Sequence, residues 1–357
     1  MEKEKMKPVG EAGIIMELPE STVPADIFWD LIYAAGKPQV LKYGIDFKVF
    51  NHLSKPISAE EVARRIDTKP EPTSRLLDIL VIIGVITKDG DRYVNTPLAE
   101  EYLVEGKPTY LGDYYAMSIE GYVDEMVTKI PQALKSGIQE IDVSQAYPDD
   151  YWARATDTAA RFQRVGWSSK AVPPVIEMPE FPSFKRMLDL GGSAGVFTVA
   201  LVSRHPTLEG VVFDQPSVIE TTKKIISEYG LQDRIGVLAG DFTKDDIGSD
   251  YDLVRTSDTL SFFPDKKKLE EICKKVYKSM NHGGVFISQQ QMVISKNRIW
   301  PPDTAWLSHI MALAGFGCTL YETDISEAML RAGFRSVESR YVKYTNGTNR
   351  VDIARKA

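Results

Sequence analysis

Between Arg186 and Leu201 an apolar run, Arg186–Leu190, passes through Asp189-Leu190-Gly191-Gly192-Ser193-Ala194-Gly195 into a second apolar stretch, Val196-Phe197-Thr198-Val199-Ala200-Leu201. No other feature limits the fold as much. Glycines at 191, 192 and 195 allow a sharp strand-to-helix turn and let a ligand approach the main chain. Downstream the texture repeats. Short β-branched runs at Gly210–Phe213, Ile235–Ala239, Leu253–Thr256, Gly284–Ser288 and Ser336–Val342 alternate with helical stretches at Val196–His205, Ser217–Tyr229, Leu269–Met280 and Asp324–Ala332. Strands separated by helices of this length predict a parallel, doubly wound, Rossmann-like α/β sheet. One or two closing strands fall within Val342–Ala354. Ligands of such sheets sit outside the carboxyl ends of the strands.

With 357 residues the chain has room for more than one core. Its N-terminal part reads differently. Charged residues with Pro8, Gly10 and Gly13 make 1–20 a flexible arm. Helical spacing runs from Pro24 to about Leu53. Ser58 with Glu61 forms a capping-box signal for a helix over Ala59–Ile66, and a second helix starts near Pro72 and stops at Gly84. Val85-Ile86-Thr87 and Arg92-Tyr93-Val94 then flank Lys88–Asp91 as a hairpin. Helix, helix and β-wing predict a mostly helical winged-helix domain over 21–108, followed by a helical linker and substrate lid over 109–182 and a catalytic domain over 183–357. The 109–182 segment carries Tyr114, Tyr115, Met117, Tyr122, Met126, Trp152, Phe162 and Trp167, as core or as walls of an apolar pocket.

A winged helix either reads DNA or serves packing and dimerisation. Ser58–Leu103 holds nine acidic and six basic residues, against the basic stripe a DNA reader needs. The whole chain has a net charge of −7, which also argues against nucleic acid. No run is long and apolar enough for a membrane span or a signal peptide, and two cysteines, Cys273 and Cys318, make no disulfide framework. The expectation is a cytoplasmic protein. No His/Cys/Asp spacing suggests a metal.

Acidic residues stand at three successive strand ends. Asp189 opens the glycine turn, Asp214 closes Val211-Val212-Phe213-Asp214, and Asp241 lies in Ala239-Gly240-Asp241-Phe242. A carboxylate at the second position accepts both hydroxyls of a ribose; at the third it accepts from an adenine amino group, with Phe242 against the ring. Gln215 and Ser257 complete the candidate cofactor set of Asp189, Gly191, Gly192, Gly195, Asp214, Asp241 and Phe242. Any one of these acids alone also reads as a helix cap or turn residue. A nicotinamide enzyme shares the turn and the second acid, yet Asp-Leu-Gly-Gly-Ser-Ala-Gly is not Gly-x-Gly-x-x-Gly.

With Asp189–Gly195, Val212–Pro216, Gly240–Phe242, Gly283-Gly284 and Arg331-Ala332-Gly333-Phe334 in view, the chain resembles the class I S-adenosylmethionine-dependent methyltransferases of the plant and hydroxyindole O-methyltransferase type. The resemblance spans the whole chain. It implies S-adenosylmethionine as cofactor, its methionine part at Gly191–Gly195, ribose on Asp214 and adenine between Asp241 and Phe242. It also implies a small-molecule substrate and an intertwined homodimer.

The family usually carries Leu-His-Asp-Trp after the fourth strand, with that histidine as general base. Here the stretch is Asp258-Thr259-Leu260-Ser261-Phe262-Phe263-Pro264-Asp265, so Ser261 stands at the histidine's place, and Ser288-Gln289-Gln290-Gln291 lacks the family's following acid. A serine is too weak a base to replace imidazole; it orients a substrate or a water. Of His52, His205, His282 and His309, only His309 lies in a stretch that lines the substrate pocket in the family, so Ser261 and His309 are the candidate catalytic residues. The Leu307-Ser308-His309 run before Ala314-Gly315-Phe316-Gly317 also resembles a bacteriochlorophyllide carbon methyltransferase. These readings predict methyl transfer to carbon or oxygen of a cyclic, largely apolar or aromatic molecule without the usual histidine. A cofactor-binding enzyme with a non-methylating reaction and a winged-helix transcriptional regulator are the alternatives.

Overall fold

The computed structural model describes residues 23–141, 149–297, 299–317 and 320–357, except the side chains of 149–153. The expected arm at 1–20, the Trp152 side chain and Cys318 lie outside what is described. Helices α1 (Asp26–Ala35) and α2 (Lys37–Asp46) and a 3-10 turn at Val49–His52 divide the helical stretch read between Pro24 and Leu53. Pro38 sits in the first turn of α2, where its missing N–H does no harm; inside a continuous helix it would break the ladder. Ser58 caps α3 (Ala59–Arg65) by accepting the Glu61 N–H at 3.3 Å. Glu61 pairs with Arg65 rather than reaching back, so the capping box is half formed. Helix α4 (Pro70–Ile83) ends at Gly84 in left-handed backbone, φ +88.

Strands β2 (Ile86–Asp89) and β3 (Arg92–Asn95) form the wing across Gly90-Asp91. A two-residue strand, β1 (Ile57–Ser58), adds to β3. Val49, Phe50, Leu77, Leu80, Ile86 and Tyr93 fill this module's core. Three of the six basic residues between Ser58 and Leu103 are held in ion pairs: Lys88 with Asp78, Arg75 with Glu71 and Arg65 with Glu61.

After α5 (Pro97–Tyr102), the middle of the chain is helical: α6 (Gly112–Ile119), α7 (Ile130–Ser136), α8 (Asp149–Phe162), α9 (Ser168–Ala171) and α10 (Pro173–Ile176). Two widened π-helical turns, Glu120–Met126 and Gln163–Trp167, interrupt it. Tyr114 of α6 stacks on Phe162 of α8 with ring centres 4.4 Å apart, which fixes these helices to each other.

The C-terminal part holds β4 (Arg186–Leu190), β5 (Glu209–Asp214), β6 (Ile235–Ala239), β7 (Tyr251–Ser257), β8 (Met280–Gln290), a short β9/β10 pair (Val293–Ile294, Leu320–Tyr321), β11 (Ser336–Tyr344) and β12 (Gly347–Arg355). Between them lie α11 (Val196–Val202), α12 (Pro216–Glu228), α13 (Lys266–Ser279), α14 (Pro302–Leu313) and α15 (Asp324–Ala332). The main sheet has the order β11-β12-β8-β7-β4-β5-β6. It is mixed rather than wholly parallel. Strands β4 to β8 are parallel, but β12 runs antiparallel to both β8 and β11. Only Thr345 and Asn346 link Tyr344 to its partner Gly347, and so short a link permits a hairpin, not a helical crossover.

The order reverses at β4, flanked by β5 on one side and β7 on the other, so the crevice for a ligand opens at its carboxyl end. Beneath that crevice Arg255 of β7 donates to Asp189 of β4 at 3.1 Å, both side chains almost fully buried. Thr198 donates to the other Asp189 oxygen at 2.9 Å. The guanidinium lies 3.7 Å from the Phe197 ring centre and 5.0 Å from that of Trp167. Removing one partner strands the other charge in the core. Asp189→Ala is expected to destabilise the protein by about 3–5 kcal/mol in urea unfolding; a loss below about 1 kcal/mol would show that the pair does not hold these strands together.

Candidate functional site

The turn after β4 takes the conformation its glycines permit. Gly191 has φ +69, and a Cβ there would meet Thr259 Oγ1 at 2.4 Å. At Gly192 a Cβ would lie 2.8 Å from Val212 and 2.9 Å from the Asp189 carboxyl carbon. Side chains fit at neither place. Gly195, φ +72, caps the start of α11. Ser193 also adopts positive φ, +52, which is strained for a residue with a Cβ. Two bonds hold it: its N–H donates to Asp214 Oδ2 at 2.7 Å and its carbonyl accepts Thr222 Oγ1 at 2.7 Å.

Asp214 thus clamps the turn from the tip of β5. Its second oxygen accepts the Gln215 N–H at 2.8 Å, and burial raises its pKa. Gln215 itself is exposed. Asp241 is more open. Its Oδ1 accepts both the backbone N–H and the hydroxyl of Thr243, and Lys244 pairs with Oδ2 at 2.8 Å. The ammonium beside it holds this carboxyl down to about 2. Phe242 is half-buried, edge-on to Phe213 and Phe263 at 6.5 and 5.5 Å. Asp214 and Asp241 therefore reach the same edge of the sheet, whereas Asp189 is fully buried under the turn with Arg255 and Thr198. The expectation that Asp189 touches a ligand is corrected: both its oxygens are occupied by protein donors.

A cavity of about 420 Å³ opens between the glycine turn and the helical middle of the chain. Gly191, Gly192, Ser193 and Ser257 form its floor, and Tyr114, Tyr122, Met126, Phe162, Trp167, Met292, Leu307 and Met311 its walls. Neither candidate catalytic residue reaches it. Ser261 is fully buried, its N–H turned to Gln290 Oε1 and its hydroxyl to the Asp258 carbonyl. His309 is exposed. On α14 Leu307 and Met311 share the cavity face, and His309 lies about 200° around the helix from Leu307.

Sequence reasoning passed over the acid that does line the cavity, Asp258, one residue beyond β7. Burial pushes its carboxyl up to about 6. Asp258 stands at a strand end as the other three acids do, but the family's missing histidine points to Ser261. Arg255, Gln291 and Asn346 line the cavity too and were not singled out. Among the described residues no group of three or more His, Cys, Asp or Glu side chains is placed to hold a metal ion, and no helix is long and apolar enough to cross a membrane.

Residues 150–335, more than half of the chain, match a family model described as an O-methyltransferase domain, and residues 29–105 match an O-methyltransferase dimerisation domain. The chain is similar to the N,N-dimethyltransferase OxyT of Streptomyces rimosus, 27% identical over 72% of this chain and 75% of the relative. It is also similar to the 3-hydroxy-5-methyl-1-naphthoate 3-O-methyltransferase of Streptomyces sahachiroi, 25% identical over 92% and 94%. Human N-acetylserotonin methyltransferase, solved in complex with S-adenosylmethionine, shares the fold with a TM-score of 0.75 at 21% identity, covering 95% of this chain and all of that one. The chain belongs to the O-methyltransferase family and is an S-adenosylmethionine-dependent methyltransferase.

Proposed function

We propose that the enzyme methylates carbon or oxygen of a cyclic, largely apolar or aromatic small molecule, and does so without the family's histidine. The cavity carries this reading. About 420 Å³, with bare main chain at one end and aromatic and thioether walls at the other, suits a compact ring system. One relative's name, a naphthoate O-methyltransferase, supports a small aromatic acceptor.

The residues present fit the cofactor. Gly191 and Gly192 line the cavity with main chain, open to a ligand, while Thr259, Val212 and Asp189 fill the space their side chains would take. Asp214, held by two N–H groups, keeps lone pairs for a diol, and Phe242 offers a ring edge close to Asp241. Ser257 lines the same cavity, while Gly195 at the start of α11 and Gln215 before α12 stay in the proposed cofactor set by their place beside the turn and Asp214. S-adenosylmethionine supplies an electrophilic methyl group when bound. The chain's own work is then to hold the acceptor in line with that methyl and to keep water out, which Tyr114, Phe162, Trp167 and Met311 do by closing the cavity with apolar surface.

We also assign working parts: 21–108 pairs two copies, 109–182 covers the acceptor, and 183–357 binds the cofactor. Helix α1 has no buried residue although it carries Ile27, Phe28, Trp29, Leu31 and Ile32, all more than half exposed. Such a helix is stable only when covered, and the dimerisation-domain match over 29–105 makes a second copy the occupant. The single described cysteine, Cys273, is free and buried, in keeping with a reducing cytoplasm.

Three measurements check these assignments. Isothermal titration is expected to show micromolar-range binding of S-adenosylmethionine and S-adenosylhomocysteine, and absence of both would end the reading. Asp214→Ala is expected to weaken that binding by about 1–3 kcal/mol through lost charge-assisted hydrogen bonds; an unchanged dissociation constant would place the ribose elsewhere. Light scattering is expected to give twice the chain mass of 40.0 kDa, and Trp29→Glu with Ile32→Glu is expected to give a monomer. A wild-type monomer would reassign α1.

A further inference from the structure

Asp258 is the only carboxylate among the described residues that lines the cavity. It stands in left-handed backbone, φ +51, fastened from two directions. Its N–H donates to the Gln289 carbonyl at 2.9 Å, and its Oδ1 accepts the Gln291 N–H at 2.6 Å. Among the described residues no donor reaches the other oxygen, Oδ2. The nearby cation is not free to neutralise it directly, because Arg255 is engaged by Asp189, Gln289 and the rings of Phe197 and Trp167.

The wall beside it is also built of acceptors. Gln291 Nε2 donates to the Asn346 carbonyl at 2.5 Å, and Asn346 Nδ2 donates to Gln291 Oε1 at 2.9 Å. A carbonyl only accepts, so the orientation of both amides follows. Asn346 Oδ1 is left without a partner. An apolar cavity whose polar side offers an unpaired carboxylate oxygen calls for a ligand with a hydrogen to give.

We propose that Asp258 is the catalytic base of the methyl transfer, and that the acceptor atom is therefore the oxygen of a hydroxyl on an apolar ring. This rests on reading the cavity as the methyl-transfer site. The acceptor hydrogen-bonds to Asp258 Oδ2. Its heteroatom lone pair forms the new bond to the methyl carbon while the carbon–sulfur bond breaks with its pair left on sulfur, and the proton passes to Oδ2. Carboxyl proton, methylated acceptor and neutral thioether balance the step. Gln291 is the positioning residue, since its N–H holds the carboxylate in place.

The surroundings set the pH range. Arg255 of β7, whose charge favours the anion, and Tyr114 of α6 and Tyr344 of β11, whose hydroxyls are themselves raised by burial, face Asp258; desolvation outweighs the arginine and leaves the carboxyl near 6. It is ionised at neutral pH, yet a stronger base than an exposed aspartate.

The test uses full-length wild type, Asp258→Asn and Asp258→Ala. Binding of S-adenosylhomocysteine comes first and is expected to be unchanged in the variants. Its absence from wild type would strike the parent reading, not Asp258. The complexes are then titrated with 1-naphthol and with 1-methoxynaphthalene, which lacks the donor. Wild type is expected to prefer the naphthol at least tenfold above pH 7, with the preference falling as pH drops below about 6 and the carboxylate takes up its proton. Asp258→Ala is expected to show no preference. Asp258→Asn still accepts a hydrogen bond, so it keeps part of the preference without its pH dependence. Formation of S-adenosylhomocysteine from S-adenosylmethionine and 1-naphthol is expected to fall at least about a hundredfold in Asp258→Asn. Equal binding of the two probes, a preference that survives Asp258→Ala, no turnover by wild type, or equal turnover by Asp258→Asn overturns the proposal. Folding is checked independently: because burial raises the carboxyl from 3.8 to about 6, the folded state loses stability as pH rises between those values and carries the full penalty above them, so Asp258→Asn is expected to melt a few degrees higher than wild type at pH 8.

Discussion

A carboxylate that no solvent touches, Asp189, organises the binding end of the sheet. Its two oxygens tie β4 to Arg255 on β7 and to Thr198 on α11, the helix that the glycine turn feeds. The turn above can therefore be bare of side chains without becoming loose. Asp214 completes the restraint from the other neighbour, β5, by holding the Ser193 N–H. Two buried or half-buried acids, on the same face of adjacent strands, replace the packing that the glycines do not supply. Both interactions are charge-assisted and poorly hydrated, the conditions under which such bonds are strongest.

This division separates what must stay constant from what is free to vary. The floor belongs to the sheet and to main-chain atoms, while the walls belong to helices threaded between the wing and the sheet. Phe162 and Trp167 lie on the same chain segment that packs Tyr114, so a single aromatic stack both fixes the helices and shapes the acceptor space. The polar side of that space comes from elsewhere, the ends of β7 and β8 and the β11–β12 turn, where Asp258, Gln291 and Asn346 meet. Apolar shape and proton chemistry thus have different structural owners.

Much of the fold was legible in the chain. Ile235–Ala239 and Asp324–Ala332 were read with their observed limits because β-branched runs and helical spacing there are bounded by glycine or charge. The two-residue strands β1, β9 and β10 were not, since so short a run has no periodicity to detect. The antiparallel edge escaped because strand direction depends on a link length hidden within Val342–Ala354. At the site, the partner of Asp189 is Arg255, 66 positions away, and no local spacing announces it. His309 misled for a physical reason: α14 is apolar on several faces, with Trp306 exposed beside it, so the stripe that faces the cavity could not be told from the one that does not. Asp258 was hidden by its neighbour, because a missing histidine drew more notice than an acid at a strand end.

The two π-helical turns, Glu120–Met126 and Gln163–Trp167, bring Tyr122, Met126, Gln163 and Trp167 to the cavity. A π turn is an α-helix carrying one surplus residue. Deleting that residue would restore the ordinary helix and rotate every lining side chain beyond it by about 100°. The acceptor space is therefore remodelled by single-residue insertions and deletions as readily as by substitutions, with the sheet beneath undisturbed. Divergence among enzymes built this way should be sought in helix length as well as in residue identity.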